Sequence, residues 1–184
     1  MRTRSSIETR AWEIVIPAPG GEFVAHYSTR GLCGLEFPAR APQHRRRVST
    51  AHVPARVRRW HAATARALEQ ALAGRPPKTL PPLDLSAGTG FQRRVWSALR
   101  RIGWGRTRSY GQVARAIGRP KAARAVGTAC GANPIPVFVP CHRVLAADNR
   151  LGGFSGGLDW KRALLRREGI MRPGRGKSQR RRHP

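Results

Sequence analysis

Two stretches of this chain mark helix starts: Thr89-Gly90-Phe91-Gln92 and Ser109-Tyr110-Gly111-Gln112. A hydroxyl residue followed three positions later by glutamine is a capping box, in which the two side chains satisfy the first free amides reciprocally. No other feature of the chain constrains the fold as tightly, because it sets where the helices begin. Behind the first box, Phe91, Val95, Ala98, Leu99 and Ile102 make an apolar stripe. Behind the second, Tyr110, Val113, Ala114 and Ile117 follow at i, i+3, i+4 and i+7. Gly118 can stop that helix, and Pro120 suits the first turn of the next. On this next helix Ala122, Ala125, Val126 and Ala129 share one face, and Lys121, Arg124 and Thr128 the other. Two short helices joined by Gly-Arg-Pro form a helix-turn-helix pattern, one way of presenting a helix to DNA.

The first part of the chain reads differently. Trp12, Ile14 and Ile16 alternate, Pro-Gly-Gly breaks the run, and Phe23 to Tyr27 can pair back, so strands with turns are expected through Pro38. A basic loop, APQHRRRVSTAHVP, precedes a helix over 55–73, with Val57, Trp60, Ala67, Leu68 and Ala71 near helical spacing and Thr64 as a polar interruption. The segment GRPPKTLPPLDLSAGTG is a Pro/Gly-rich connector. The expected organisation is α/β (α+β): a small sheet-plus-helix domain with its connector over 1–85, and a helical, winged-helix-like domain over 86–172. A basic tail without core-forming residues follows over 173–184, and disorder is expected there.

Composition narrows the partners. Thirty-six Lys and Arg face nine Asp and Glu, giving a net charge of +27. Most of the cations are arginine, whose planar fork suits phosphate, so a polyanion partner is favoured over a merely solvated surface. No apolar run approaches the roughly 20 residues of a membrane span, and the N-terminus lacks an apolar signal region. Three cysteines, Cys33, Cys130 and Cys141, supply neither a disulfide framework nor a CxxC pair. A reducing compartment fits them best.

The chemistry concentrates in PVFVPCHRV, residues 136–144. Cys141 is either a buried thiol beside a histidine or a nucleophile. A thiol becomes nucleophilic as thiolate, which a base or cation favours. Neighbouring side chains on a strand point to opposite faces, so contact between Cys141 and His142 needs a bend or a bridging water. Pro134, Pro136 and Pro140 make such a bend feasible. For the carboxylate that would orient His142, the second part offers Asp84, Asp148, Asp159 and Glu168. Glu168 lies three and four residues beyond Leu165 and Leu164, on their inward face, whereas Asp159 suits the helix N-terminus. Glu168 is therefore the partner expected for His142; its rival role is surface pairing with Arg166 or Arg167.

These residues resemble the methylated-DNA–protein-cysteine methyltransferases, the O6-alkylguanine-DNA alkyltransferases. The resemblance is carried in order by S-Y, A-x-R-A-V-G, N-P-x-P, P-C-H-R, S-G-G-L and L-L-x-x-E-G over about residues 85–170, and loosely by GLCGLEF before them. It implies direct damage reversal, with a helix-turn-helix in the minor groove of double-stranded DNA and the alkylated guanine flipped into a pocket. It makes Cys141 the acceptor in a single-use SN2 transfer, His142 its base through a water, and Glu168 the group that orients His142. Asn133 would brace the active-site turn, and Tyr110 would sit near the target phosphate and base and protonate guanine N3. Arg124 would fill the vacated stack, with Lys121, Ala123 and Thr128 beside it on DNA. Val144, Phe154, Ser155 and Gly156 would border the base, and Arg143 would be an ion-pair member. No cofactor and no metal is implied, Cys33 being read as a small buried hydrophobe. A monomer in the bacterial cytoplasm, associated with the nucleoid, is expected.

The chain departs from the family pattern in places. Phe154 stands where tyrosine is common, Gly103-Trp104 replaces Pro-Tyr, and Cys130-Gly131 differs on the presumed recognition helix. A damage sensor without transfer activity is the first rival reading, but Cys141, His142 and Glu168 are all present. A cysteine hydrolase would turn over, and a basic architectural protein would leave Cys141 unmodified. The arginines of the tail are free to touch phosphate. Deleting residues 173–184 is therefore expected to flatten the salt dependence of DNA binding while sparing transfer from a free base, which binding titrations at several salt concentrations check.

Overall fold

The computed structural model describes residues 12–38, 53–148 and 150–171. Most of the basic loop after Pro38 and the tail from 172 onward lie outside the described residues.

Strands β1 (Trp12–Ala18) and β2 (Gly21–Tyr27) pair antiparallel around the expected glycine turn, and β3 (Leu32–Glu36) adds to the far side of β2. Helix α1 (Ala55–Leu72) lays Val57, Ala67, Leu68 and Ala71 toward the core, as its spacing predicts. Thr64, the polar interruption, is fully buried and satisfied: it accepts from the Tyr27 hydroxyl at 2.9 Å and donates to the Trp60 carbonyl at 2.8 Å.

Both capping boxes form. Thr89 and Gln92 cap α2 (Gly90–Arg100), and Ser109 and Gln112 cap α3 (Tyr110–Ala116). Gly118, at φ 70°, ends the second in the left-handed region that glycine enters without penalty. Helix α4 (Ala123–Gly131) starts later than expected. Pro120 and Lys121 belong to the turn, Ala122 is the N-cap, and Ala125 faces solvent. The buried stripe of α4 consists of Val126, Ala129 and Cys130. Trp96 ties α2 to α4 by donating to the Ala129 carbonyl at 2.8 Å. Two short strands that no periodicity foretells, β4 (Arg108–Ser109) and β5 (Val144–Leu145), pair in parallel and bring the run around Cys141 back beside the start of α3. Helix α5 (Leu158–Arg167) closes the fold, opening after Gly157 rather than directly after Ser155.

The apolar core is continuous. Phe23, Tyr27 and Leu68 from the first part and Val95, Leu99, Val126, Val139 and Leu164 from the second belong to one cluster. Each such side chain contributes on the order of 1.5–3 kcal/mol when fully buried. The Pro-rich connector is also fixed. Leu32 donates to the Pro82 carbonyl at 2.8 Å, and Asp84 donates its amide to the Leu32 carbonyl at 2.7 Å, continuing the sheet at the β3 edge.

Asp84 locks this junction through its side chain. It accepts from the Ser28 hydroxyl at 2.5 Å, the Ser86 amide at 3.1 Å and Arg30 Nε at 3.3 Å. Burial opposes its ionisation, but these hydrogen bonds and the Arg30 charge outweigh burial and hold its pKa below the ordinary 3.8. A lowered carboxyl pKa gives stability that is complete above the unfolded-state value and is lost as pH falls through the folded one. Asp84→Asn is expected to cost about 1–3 kcal/mol at neutral pH. The gap to the unsubstituted protein should close well below pH 3.8; urea melts across pH measure both.

Candidate active site

The site is built by a break in extended backbone. Pro140 fixes φ at −80° with ψ at 65°, an inverse γ-turn in which the Cys141 amide donates to the Val139 carbonyl at 2.8 Å. A single 3-10 turn, Cys141–Arg143, follows. Side chains in such a turn rotate by about 120° per residue. Cys141 therefore leaves in a different direction from His142 and Arg143, so the bend at the prolines forms without bringing Sγ and the imidazole into a direct hydrogen bond.

The approach to the turn is braced. Asn133 donates to the Val139 carbonyl at 2.7 Å and to Cys141 Sγ at 3.1 Å, and its Oδ1 accepts from the Ile135 amide at 3.1 Å. Between these anchors Val137 is held at φ 74°, a left-handed conformation that a β-branched residue rarely adopts.

Behind Cys141 lies a buried charge cluster. His142 Nε2 is 2.7 Å from Glu168 Oε1. Arg143 donates to the same carboxylate through Nε at 2.9 Å to Oε2 and Nη2 at 3.0 Å to Oε1, while Nη1 donates to the Ile102 carbonyl at 2.6 Å. The Gly105 amide donates to Glu168 Oε2 at 3.2 Å, and the Arg143 guanidinium lies 5.3 Å from the Trp104 ring centroid. The Glu168 side chain is 2 % exposed, so the surface pairing with Arg166 or Arg167 does not occur. Burial opposes its ionisation, but the hydrogen bonds from His142 and Arg143 and their charges hold its pKa below the usual carboxylate value. Burial pushes the His142 pKa below 6.5 despite Glu168, with the Arg143 and Lys161 charges adding to the decrease. His142 is thus a neutral imidazole near neutral pH. Its Nε2 proton is placed by Glu168, and its buried Nδ1 has no hydrogen-bond partner among the described residues.

Cys141 faces a cavity of about 300 Å³ with Tyr110, Gly127, Cys130, Gly131, Gly153, Phe154 and Ser155. Burial raises the thiol's pKa above the ordinary 9.0, and the Asn133 hydrogen bond and the Lys161 charge only partly offset this. Burial likewise lifts Tyr110, and pushes Cys130 up to about 12.

The expected residues divide by location. Tyr110, Cys141, Phe154 and Ser155 meet in the cavity, whereas Asn133, His142 and Glu168 support Cys141 from behind. Val144 and Gly156 do not line it; the Val144 carbonyl accepts from Lys161 Nζ at 2.8 Å, and Gly156 abuts Phe37. Arg124 and Thr128 are exposed one turn apart on α4, and Lys121 is exposed in the turn before Ala123. Gly127 and Gly131 place the same helix in the cavity wall. Sequence reasoning missed Lys161, which is fully buried and also donates to the Leu151 carbonyl. Its position three and four residues before Leu164 and Leu165 would have revealed it. Cys33 is buried, its Sγ 3.4 Å from the His26 carbonyl. Among the described residues no three His, Cys, Asp or Glu side chains group to hold a metal ion, and no helix is long and apolar enough to cross a membrane.

Comparison with known proteins converges on one family. Residues 90–170 match the model of the 6-O-methylguanine DNA methyltransferase, DNA binding domain. A methylated-DNA–protein-cysteine methyltransferase of Mycobacterium bovis is 57% identical over 91 residues, 50% of this chain and 54% of that protein. One of Salmonella typhimurium is 55% identical over 86 residues, 47% of this chain and 50% of that protein. The matched segment thus spans about half the length of these curated relatives. The crystal structure of Mycobacterium tuberculosis OGT in complex with DNA superposes with a TM-score of 0.70 at 39% identity, covering 85% of this chain and 91% of that one. With the fold shared across both parts and the sequence match concentrated around Cys141, the chain belongs to the methylated-DNA–protein-cysteine methyltransferase family.

Proposed function

We propose that this chain repairs double-stranded DNA by moving the alkyl group of an O6-alkylguanine onto Cys141 Sγ, once per molecule. The observation that carries this reading is the placement of Cys141. It stands at the wall of a cavity bordered by α4, with a histidine–glutamate pair buried behind it. The Mycobacterium tuberculosis relative, solved in complex with DNA, supports a DNA partner for this chain, as does its net charge of +27. A DNA partner and the family relationship support a nucleoid-associated location in the cytoplasm.

The steps follow from the resting protonation states. Cys141 begins as a neutral thiol and His142 as a neutral imidazole. The thiol proton passes to His142 Nδ1 through a bridging water, and Glu168 stabilises the imidazolium through Nε2–H. Asn133 and the Lys161 charge favour the thiolate left behind. The thiolate attacks the alkyl carbon, the C–S bond forms as the C–O6 bond breaks, and the electron pair leaves with the guanine. The Tyr110 hydroxyl neutralises the developing negative charge by proton transfer to guanine N3. The resulting thioether is stable, so the acceptor is spent.

Arg124 is the side chain that fills the gap left by the flipped nucleotide, and Lys121, Ala123 and Thr128 meet the duplex around it. Ser155 and Phe154 border the base within the cavity, Val144 and Gly156 support it from just outside, and Arg143 holds Glu168.

Mixing the protein with a duplex that carries a single O6-methylguanine is expected to leave one methyl group on the Cys141 peptide, saturating at one per chain. Cys141→Ala should acquire none, as peptide masses will show; transfer without saturation would overturn the reading. Because burial lowers the His142 pKa, protonation disables the base only below the ordinary histidine range. The single-turnover rate is expected to stay level from about pH 8 to 6.5 and to fall below 6.5; rapid-quench rates across pH check this.

A further inference from the structure

The loop from Gly152 to Gly157 forms one wall of the Cys141 cavity, and a second cavity lies on its other side. Phe154 and Ser155 line the first, of about 300 Å³. Ser155 and Gly156 line the second, of about 380 Å³, together with Leu35, Phe37 and Pro38. A thin wall between two voids needs attachment points, and this one has two kinds. At its start, Lys161 donates to the Leu151 carbonyl, and Gly152, at φ 61°, packs so closely on Tyr110 that a Cβ would lie 2.8 Å from the hydroxyl. At its far end the attachment comes from the other part of the chain. Gly156 sits against the Phe37 ring, leaving no room for a Cβ, and Phe154 meets the same ring edge-on at 5.5 Å between centroids.

We propose that Phe37 is a positioning residue through which the N-terminal sheet fixes the base-binding loop; this rests on the alkyl-transfer reading above. Phe37 directly follows β3 and is itself held. Phe23, fully buried on β2, lies 5.4 Å from its ring centroid, and Trp160 on α5 lies 5.2 Å away. Phe23 and Trp160 are in turn in edge contact at 5.2 Å. Aromatic pairs of this geometry contribute beyond the area they bury. The rigid core of the first part therefore extends through one side chain to both Phe154 and Gly156. Phe154 carries no hydroxyl with which to hydrogen-bond elsewhere, so its ring contact with Phe37 anchors it by packing alone. The N-terminal part thus has a role at the site that no residue of its own performs chemically.

The test uses the full chain. In Phe37→Ala, amide hydrogen exchange over residues 152–157 is expected to accelerate. Single-turnover transfer from the free base O6-methylguanine should slow roughly tenfold, because misplacement of a positioning group costs rate without touching the reacting atoms. The Kd for an undamaged duplex should stay within about twofold, since α4 is unaffected. Phe37→Tyr keeps the ring and is expected to restore both loop protection and rate. Gly156→Ala attacks the same contact from the loop side, and its effect should be non-additive with Phe37→Ala. Val57→Ala, in the core of the same part and away from the loop, is expected to lower stability while leaving loop exchange and rate as they were. Should Phe37→Ala fail to fold, Phe37→Leu replaces it. Unchanged loop exchange in Phe37→Ala, or the same losses in Val57→Ala, would overturn the proposal. If the unsubstituted protein transfers nothing, the functional reading falls instead, and the exchange measurement still decides whether Phe37 anchors the loop.

Discussion

Everything near the site hangs on the carboxylate of Glu168. It is buried, and it receives His142, two nitrogens of Arg143 and the amide of Gly105. One group therefore joins the end of α5, the loop after α2 and the active-site turn. The Arg143 charge balances it, and the Ile102 carbonyl and Trp104 ring occupy the rest of the guanidinium. A buried ion pair contributes little net stability compared with an apolar replacement, but removing one partner strands the other and costs about 3–5 kcal/mol. The arrangement is thus better understood as specifying geometry than as supplying stability. It fixes which nitrogen of His142 faces the carboxylate, and on the proposed chemistry it leaves the other to act as the base.

How much of this was legible in the sequence depends on how local the signal is. Capping boxes are local, and both formed where Thr89 and Ser109 placed them. Helical phase is nearly as local, and it put Glu168 on the inward face of α5. Applied to Lys161, the same reasoning would have found the buried ammonium, but lysine is commonly assigned to solvent on its type alone. Pro120 misled in the opposite direction: it suits a first helical turn, yet here it sits in the turn before α4. The contacts of Gly105, Trp104 and Phe37 with the site join residues far apart in sequence. No window of one sequence contains both partners, so only the assembled fold displays them.

The two parts of the chain share more than a linker. The connector continues the sheet at β3, Asp84 ties it to Ser28 and Arg30, and the apolar core runs unbroken between the parts. The two parts are therefore packed as one body rather than joined by a free linker. On the positioning role proposed for it, Phe37 carries that packing to the loop that walls the cavity, through Phe154 and Gly156.

A thiol with a raised pKa looks poorly suited to attack, and for an enzyme that turns over it would be. On the proposed chemistry each molecule has one acceptor, and losing it to a stray electrophile or oxidant is final. Such side reactions follow thiolate character and exposure. Burial suppresses both at Cys141, keeping the resting thiol neutral and only 4% exposed. The thiolate then has to be made after the lesion is in place, by a histidine whose own burial keeps it unprotonated and ready to accept. Slow activation is tolerable when each molecule reacts once, whereas premature reaction is not. The same desolvation that raises the thiol's pKa and lowers the histidine's keeps both groups neutral at rest, which protects the acceptor and makes the proton transfer between them uphill until the lesion is bound.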